Sequence, residues 1–186
     1  MDGGAEGRGG ASGLVDMRPL VPAAGGRPGE ALARAGDLTP PMTLGEFAAK
    51  VAAALPPTAH GVRVAGDLQA EVRTVAVVAG AGDSLFAPVR DAGVDVYVTA
   101  DLRHHPASEA RERALFEGEG RPFLVDVSHS ASEWHWLEGA ARRLEEGVSD
   151  LGARVVTWVS RVVADPWDAR FGGVHPSGSA LGEGET

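Results

Sequence analysis

Hydrophobic positions run in blocks that change period along the chain, and each change marks an element. Thr43-Leu44-Gly45-Glu46 carries the side chains of a helix capping box. Apolar Phe47, Val51 and Leu55 then recur at helical spacing until Pro56-Pro57 stops them. Val62–Ala65 and Val72–Ala79 predict strands, the second a continuous apolar run of the kind buried on both faces. Gly80-Ala81-Gly82 turns the chain, and Ser84 is placed to cap a short helix ending near Gly93. Val94–Thr99 predicts a strand, Pro106 opens a helix reaching about Phe116, and Phe123–Val127 predicts another strand. A helix from about Ser130 to Glu146 follows, and a β-rich segment, Arg154–Ala164, closes the series before Pro166. Strands alternating with helices at this spacing predict an α/β fold of βαβ units, with a mostly parallel central sheet flanked by helices.

The two ends read differently. Glycine (26) and proline (12) concentrate there in a chain of 186 residues, and residues 1–13 lack any periodicity. The reading is therefore a flexible Gly/Pro-rich arm over 1–36, holding one apolar patch at Leu14–Pro22, an α/β domain over 37–168, and a disordered tail over 169–186. The net charge of −9, with Lys50 as the single lysine, argues against a binder of nucleic-acid backbone. The absence of cysteine removes disulfides, thiolate metal sites and cysteine nucleophiles. No apolar run approaches the roughly 20 residues that span a bilayer. The expected compartment is the cytoplasm.

Sites in open α/β sheets form beyond the C-terminal ends of the strands. Those ends deliver Gly80-Ala81-Gly82-Asp83-Ser84, then Asp101-Leu102-Arg103-His104-His105, then Asp126-Val127-Ser128-His129, with Glu133 one helical turn later. If the last helix includes His129, the spacing of four puts its imidazole and the Glu133 carboxylate on one face, where they can share a divalent ion. The competing reading is that Ser130-Ala131-Ser132-Glu133 is itself a capping box, preceded by an unrelated histidine. His104 and His105 beside Asp101 are either a polar helix start before Pro106 or a ligand and proton-shuttle cluster. The glycines at 80 and 82 form either a tight turn or a phosphate cradle, without the third glycine of a dinucleotide fingerprint. His60 and His175 sit in Gly/Pro-flanked loops with no partner pattern.

Three stretches in order, Val75–Ser84, Ala92–His105 and Val125–Trp134, resemble the NIF-three-like family of dinuclear-metal-centre proteins, also labelled GTP cyclohydrolase 1 type 2 homologues. The resemblance spans about residues 37–168 and implies the second half of a two-half α/β fold that assembles as toroidal hexamers around an internal cavity. It implies that His129 and Glu133 are the His-x-x-x-Glu metal ligands and that Asp101…His104-His105 matches a Gly-Asp-x-x-His-His motif, with Ala100 in place of the usual glycine. The first-half His-His-Pro and His-Thr-Asn-x-Asp motifs do not occur upstream of residue 37.

The resemblance therefore implies divalent metal (Zn, Mn or Fe), two ions in the complete family site and fewer here. It implies hydrolase-like chemistry on a nucleotide or other phosphate-bearing small molecule in the complete form. His104 is the proton-transfer candidate, Asp101 orients an imidazole, and His105 is an additional site candidate. The expected partners are the metal, a second copy of the chain in a homo-oligomer, or a separate chain supplying the missing half; neither nucleic acid nor membrane is expected. The chain alone is expected to be inactive and to expose apolar surface. The alternative is a non-enzymatic binding or assembly module that keeps the fold without catalysis.

Overall fold

The structure is a computed structural model that describes residues 13–23, 25–26 and 29–171. His175 and most of the expected terminal stretches, residues 1–12 and 172–186, lie outside the described residues. One six-stranded sheet organises the chain, with strand order β1-β2-β4-β5-β6-β3. Its centre, β4 (Glu71–Ala81), β5 (Val96–Ala100) and β6 (Phe123–Val127), is parallel. On one side β2 (Ala31–Thr43) and β1 (Leu14–Pro22) add antiparallel, and on the other the short β3 (Arg63–Ala65) pairs antiparallel with β6. Among the described residues four helices flank it: α1 (Leu44–Ala54), α2 (Phe86–Asp91), α3 (His104–Glu117) and α4 (His129–Asp150). Among the described residues no helix is long and apolar enough to cross a membrane.

The α/β class and the central parallel strands match the sequence expectation. Parallel pairing stops at those three strands, because β1, β2 and β3 all run against their neighbours. The apolar patch at Leu14–Pro22 is β1 rather than part of a free arm, and the expected boundary at residue 37 falls inside β2. The β-rich pattern at Arg154–Ala164 forms no strand here. It runs extended along α4, with the Trp134 indole donating to the Ser160 carbonyl and Thr157 donating to the Glu145 carboxylate.

Side chains alternate across β5 and β6, and both faces are covered. Val96, Val98, Ala100, Phe123, Val125 and Val127 join Leu44 and Phe47 of α1 on one side. Tyr97 and Leu124 join Ala33, Ala35 and Val89 on the other. Burial on both faces is what a parallel centre requires, since helical crossovers cover each side. The capping box at α1 is realised: the Glu46 N–H donates to Thr43 Oγ1 (3.2 Å) and the Thr43 N–H to Glu46 Oε2 (2.9 Å). Ser84 caps nothing, because a 3-10 turn at Asp83–Leu85 precedes α2.

Two features hold the parallel strands in place. Before β5, the Asp95 carboxylate accepts from the Arg73 and Thr74 N–H groups (2.7 and 3.0 Å) and from Arg121 Nε (2.8 Å). Burial alone would raise this carboxyl, but those donors hold it below its ordinary 3.8. At the other end of β4 the strand kinks at Gly80, which has φ +70°. The parallel register shifts there, between Val77 and Ala81. A Cβ at Gly80 would stand 2.9 Å from Glu133 Oε1 and 3.2 Å from His129 Nε2, so only glycine lets the first turn of α4 approach this closely.

Two outcomes follow from these features. Replacing Asp95 by Ala strips three donors of their acceptor and should cost about 2–3 kcal/mol in urea unfolding at neutral pH. A carboxyl lowered in the folded state stabilises fully above its ordinary 3.8. The gap between parent and variant should therefore narrow as pH falls below that value through the lowered pKa. Gly80→Ala should cost about 1–2 kcal/mol from the left-handed backbone alone, with further loss from the contact with α4.

Candidate functional site

Gly80, Asp101, His129 and Glu133 meet at the C-terminal rim of the parallel strands. Asp101 directly follows β5 and adopts φ +55°, uncommon for a residue with a side chain. His129 opens α4, so the helix includes it and the spacing to Glu133 is one turn. The alternative capping box is not formed. Ser128 is the N-cap and makes no side-chain cap bond, while Ser132 Oγ donates to the His129 carbonyl (2.7 Å) and accepts from the Gly80 N–H (2.8 Å). Ser132 thus ties the kinked end of β4 to the turn of α4 that carries both candidate ligands.

The imidazole is held from both sides. His129 Nδ1 lies 2.7 Å from Asp101 Oδ2, and Nε2 lies 3.3 Å from Glu133 Oε1. All three side chains are about half exposed, so the ion pairs are screened and individually worth little in stability. The Asp101 hydrogen bond raises the His129 pKa above its ordinary 6.5; partial burial opposes the rise and the Glu133 charge adds to it. A carboxylate on Nδ1 fixes the ring and leaves Nε2 directed at Glu133, the arrangement by which metal-binding histidines are commonly oriented.

The resemblance implies a divalent metal, and the spacing of the donor atoms can be set against one. Two ligands at about 2.1 Å from a tetrahedral Zn ion lie about 3.4 Å apart. The 3.3 Å between His129 Nε2 and Glu133 Oε1 matches that edge. Asp101 cannot join the same ion in this arrangement, because the two imidazole nitrogens point away from each other. Among the described residues no group of three or more His, Cys, Asp or Glu side chains is arranged to hold an ion. His129 and Glu133 would supply two corners of a coordination shell, with Asp101 as the carboxylate on the far imidazole nitrogen.

His104 and His105 stand elsewhere. Both are exposed at the start of α3, with rings 5.2 Å apart edge to face. His104 lines a cavity of about 270 Å³ together with Arg63, Leu102 and Asp126. The structure brings Asp101 to His129, not to His104. Asp126 is almost completely buried, and it accepts from the Leu102 N–H (3.0 Å), from Arg63 and from His60 Nε2 (3.2 Å). His60 therefore has a partner, 66 residues away, that no local pattern announces. Behind the rim the Tyr97 hydroxyl donates to the Gly82 carbonyl (3.0 Å), and burial pushes it up to about 12, which removes it from acid–base work near neutrality. Asp83 gives one oxygen to Arg103, while its other, buried oxygen has no hydrogen-bond partner. The glycines at 80 and 82 serve backbone packing: the Gly80 carbonyl accepts from Thr99 (2.9 Å) as the Gly82 carbonyl does from Tyr97.

Sequence and fold comparisons agree on the family of the chain. A Streptomyces coelicolor protein named GTP cyclohydrolase 1 type 2 homolog is 48% identical over 174 residues, covering 93% of this chain and 59% of that relative. A Mycobacterium tuberculosis protein of the same name is 47% identical over 140 residues, 75% of this chain and 35% of its own length. The chain thus spans well under two-thirds of the length of these relatives. A crystal structure of a Bacillus cereus protein related to NIF3 superposes with a TM-score of 0.63 at 32% identity, covering 73% of this chain and 35% of that one. The family model described as Duf34/NIF3 (NGG1p interacting factor 3) matches residues 11–166, and the chain belongs to that family.

Proposed function

We propose that this chain contributes part of a divalent-metal site, with His129 Nε2 and Glu133 Oε1 as ligands and Asp101 as the group that orients the imidazole. The observation that carries this reading is the 3.3 Å separation of two unlike donors on one helical face, with the far imidazole nitrogen tied to a carboxylate. Nitrogen plus carboxylate oxygen suits Zn, Mn or Fe. A bound ion of this kind polarises a phosphoryl or carbonyl oxygen or activates water. The names of the curated relatives support a nucleotide or other phosphate-bearing small molecule as substrate, with hydrolase-like chemistry once the shell is complete. The residues of this chain hold the ligand atoms in place: Asp101 retains the Nδ1 proton, Ser132 fixes the first turn of α4, and Gly80 closes one side. His104 and His105 take no part in this reading.

A second reading, metal binding without turnover, is favoured by one observation. Only two donors converge among the described residues. Hydrolysis of GTP assayed with saturating Zn or Mn separates the two: turnover by the chain alone supports the first, and bound metal without turnover supports the second.

Native mass spectrometry and calorimetric titration with Zn and Mn should show metal bound by the parent and lost in both His129→Ala and Glu133→Ala. Asp101→Asn should keep binding but weaken it roughly tenfold to a hundredfold. Parent and variants all metal-free, with folding intact by circular dichroism, would refute the site. The pH dependence has two signs. In metal-free protein the raised His129 pKa means its stabilisation is present below 6.5 and fades as pH rises through the raised value. Metal must displace that proton, so affinity should climb as pH rises through the raised His129 value. An NMR titration of the His129 ring should place its midpoint above that of an Asp101→Asn variant.

A further inference from the structure

β6 reads Phe-Leu-Val-Asp-Val, and every residue in it is buried. Asp126 is the polar side chain in that run, and it is only 4% exposed. A buried carboxylate costs stability unless donors match its oxygens, and an apolar residue would pack the strand without that cost. The two oxygens of Asp126 have separate partners. Oδ2 accepts from Arg63 Nε (2.8 Å), the residue directly opposite on β3, and lies 3.2 Å from His60 Nε2. Oδ1 accepts from the Leu102 N–H at 3.0 Å. That second bond reaches past the end of a strand. The β5–β6 ladder closes with Thr99 opposite Asp126 and Ala100 opposite Val127, so Leu102 lies two residues beyond the last rung. Asp101 is thereby left between two fixed points, Ala100 in the ladder and Leu102 on Asp126. There its φ is +55° and its carboxylate meets His129 Nδ1 at 2.7 Å.

We infer that Asp126 is a positioning residue for the candidate metal site: by holding the Leu102 N–H it keeps Asp101 in the left-handed conformation that sets its carboxylate on His129 Nδ1. As a statement about a metal site it rests on reading His129 and Glu133 as ligands; as a statement about the imidazole it does not. Asp126 acts through the backbone on both members of the Asp101–His129 pair. It stands three residues before His129 in the chain and clamps the residue after Asp101. A freed Leu102 N–H would turn to another acceptor, and Asp101 would relax toward negative φ, carrying its carboxylate off the ring. The feature of Asp126 that matters is an acceptor at Oδ1, not its charge. Asparagine would keep it: the amide oxygen serves Leu102, the NH2 group faces His60 Nε2, and the half-exposed Arg63 turns to solvent.

The tautomer of the neutral His129 ring reports this directly, because the hydrogen bond at one nitrogen decides where the proton sits. Nitrogen-15 NMR of metal-free protein in EDTA, at alkaline pH, is compared for the parent, Asp101→Ala, Asp126→Ala and Asp126→Asn. The parent and Asp126→Asn should show the Nδ1–H form. Asp126→Ala should shift to the Nε2–H form of Asp101→Ala, although its Asp101 is intact. Zn affinity, measured separately by calorimetry, should fall roughly tenfold to a hundredfold in Asp126→Ala and stay near the parent value in Asp126→Asn. Where the alanine variant fails to fold, Asp126→Leu, of the same branched shape but without an acceptor, takes its place with the same expected outcomes. A carboxylate that only stabilises the strands would lower the melting temperature in these variants and leave the tautomer unmoved, which would overturn the inference. An equal shift in Asp126→Asn and Asp126→Ala would overturn it too, by assigning the effect to charge. Zn bound by none of the proteins, with the tautomer pattern as expected, would refute the metal reading and uphold the hold of Asp126 on the ring.

Discussion

The close approach of β4 to the first turn of α4 is the constraint on which the site depends. Any residue with a Cβ at position 80 would press it into the Glu133 carboxylate, and α4 would have to lift away. The left-handed Gly80 removes that obstacle and turns its N–H toward Ser132, whose hydroxyl in turn bonds the His129 carbonyl. One backbone choice therefore sets the height of α4 above the sheet, and through it the position of both candidate ligands. The parallel strands give this arrangement its base, with Asp95 tying β4, β5 and the approach to β6 at the opposite end.

The electrostatics of His129 follow from the same geometry. An imidazole between two carboxylates holds a proton more tightly than a free one, and the protonated triplet still carries a net negative charge. On the proposed metal reading, a cation at Nε2 would replace that proton, with Glu133 placed to be the second ligand. Asp101 stays on the far nitrogen in either state. This explains why an exposed aspartate adopts an unfavourable φ immediately after β5: an L-residue there spends about 1 kcal/mol of backbone energy or more, and the orientation of the ring is the visible return.

The central strands and long helices were legible because their signals are local. Val96–Ala100 and Phe123–Val127 are apolar runs, and the His129/Glu133 spacing needs only the helix period. β2 was not legible, because Ala31–Thr43 packs through small residues, Ala33 and Ala35, amid glycine and proline that imitate a linker. Its register is specified by β4, a partner about forty residues away, which no local window samples. The His60–Asp126 pair escaped notice for the same reason. Asp101 was read as orienting an imidazole with no ring specified; sequence proximity points to His104 and His105, whereas the strand order sets it against His129.

Arg154–Ala164 shows the limit from the other side. Its period is that of a strand, yet no strand forms; what is absent among the described residues is a partner edge. The helix that holds this segment is also the helix that begins with His129. Glu145, which anchors Thr157, lies twelve residues beyond Glu133, about 18 Å along the axis at 1.5 Å per residue. Glu145 thereby holds the segment at a set distance from the His129–Glu133 pair along one 22-residue helix.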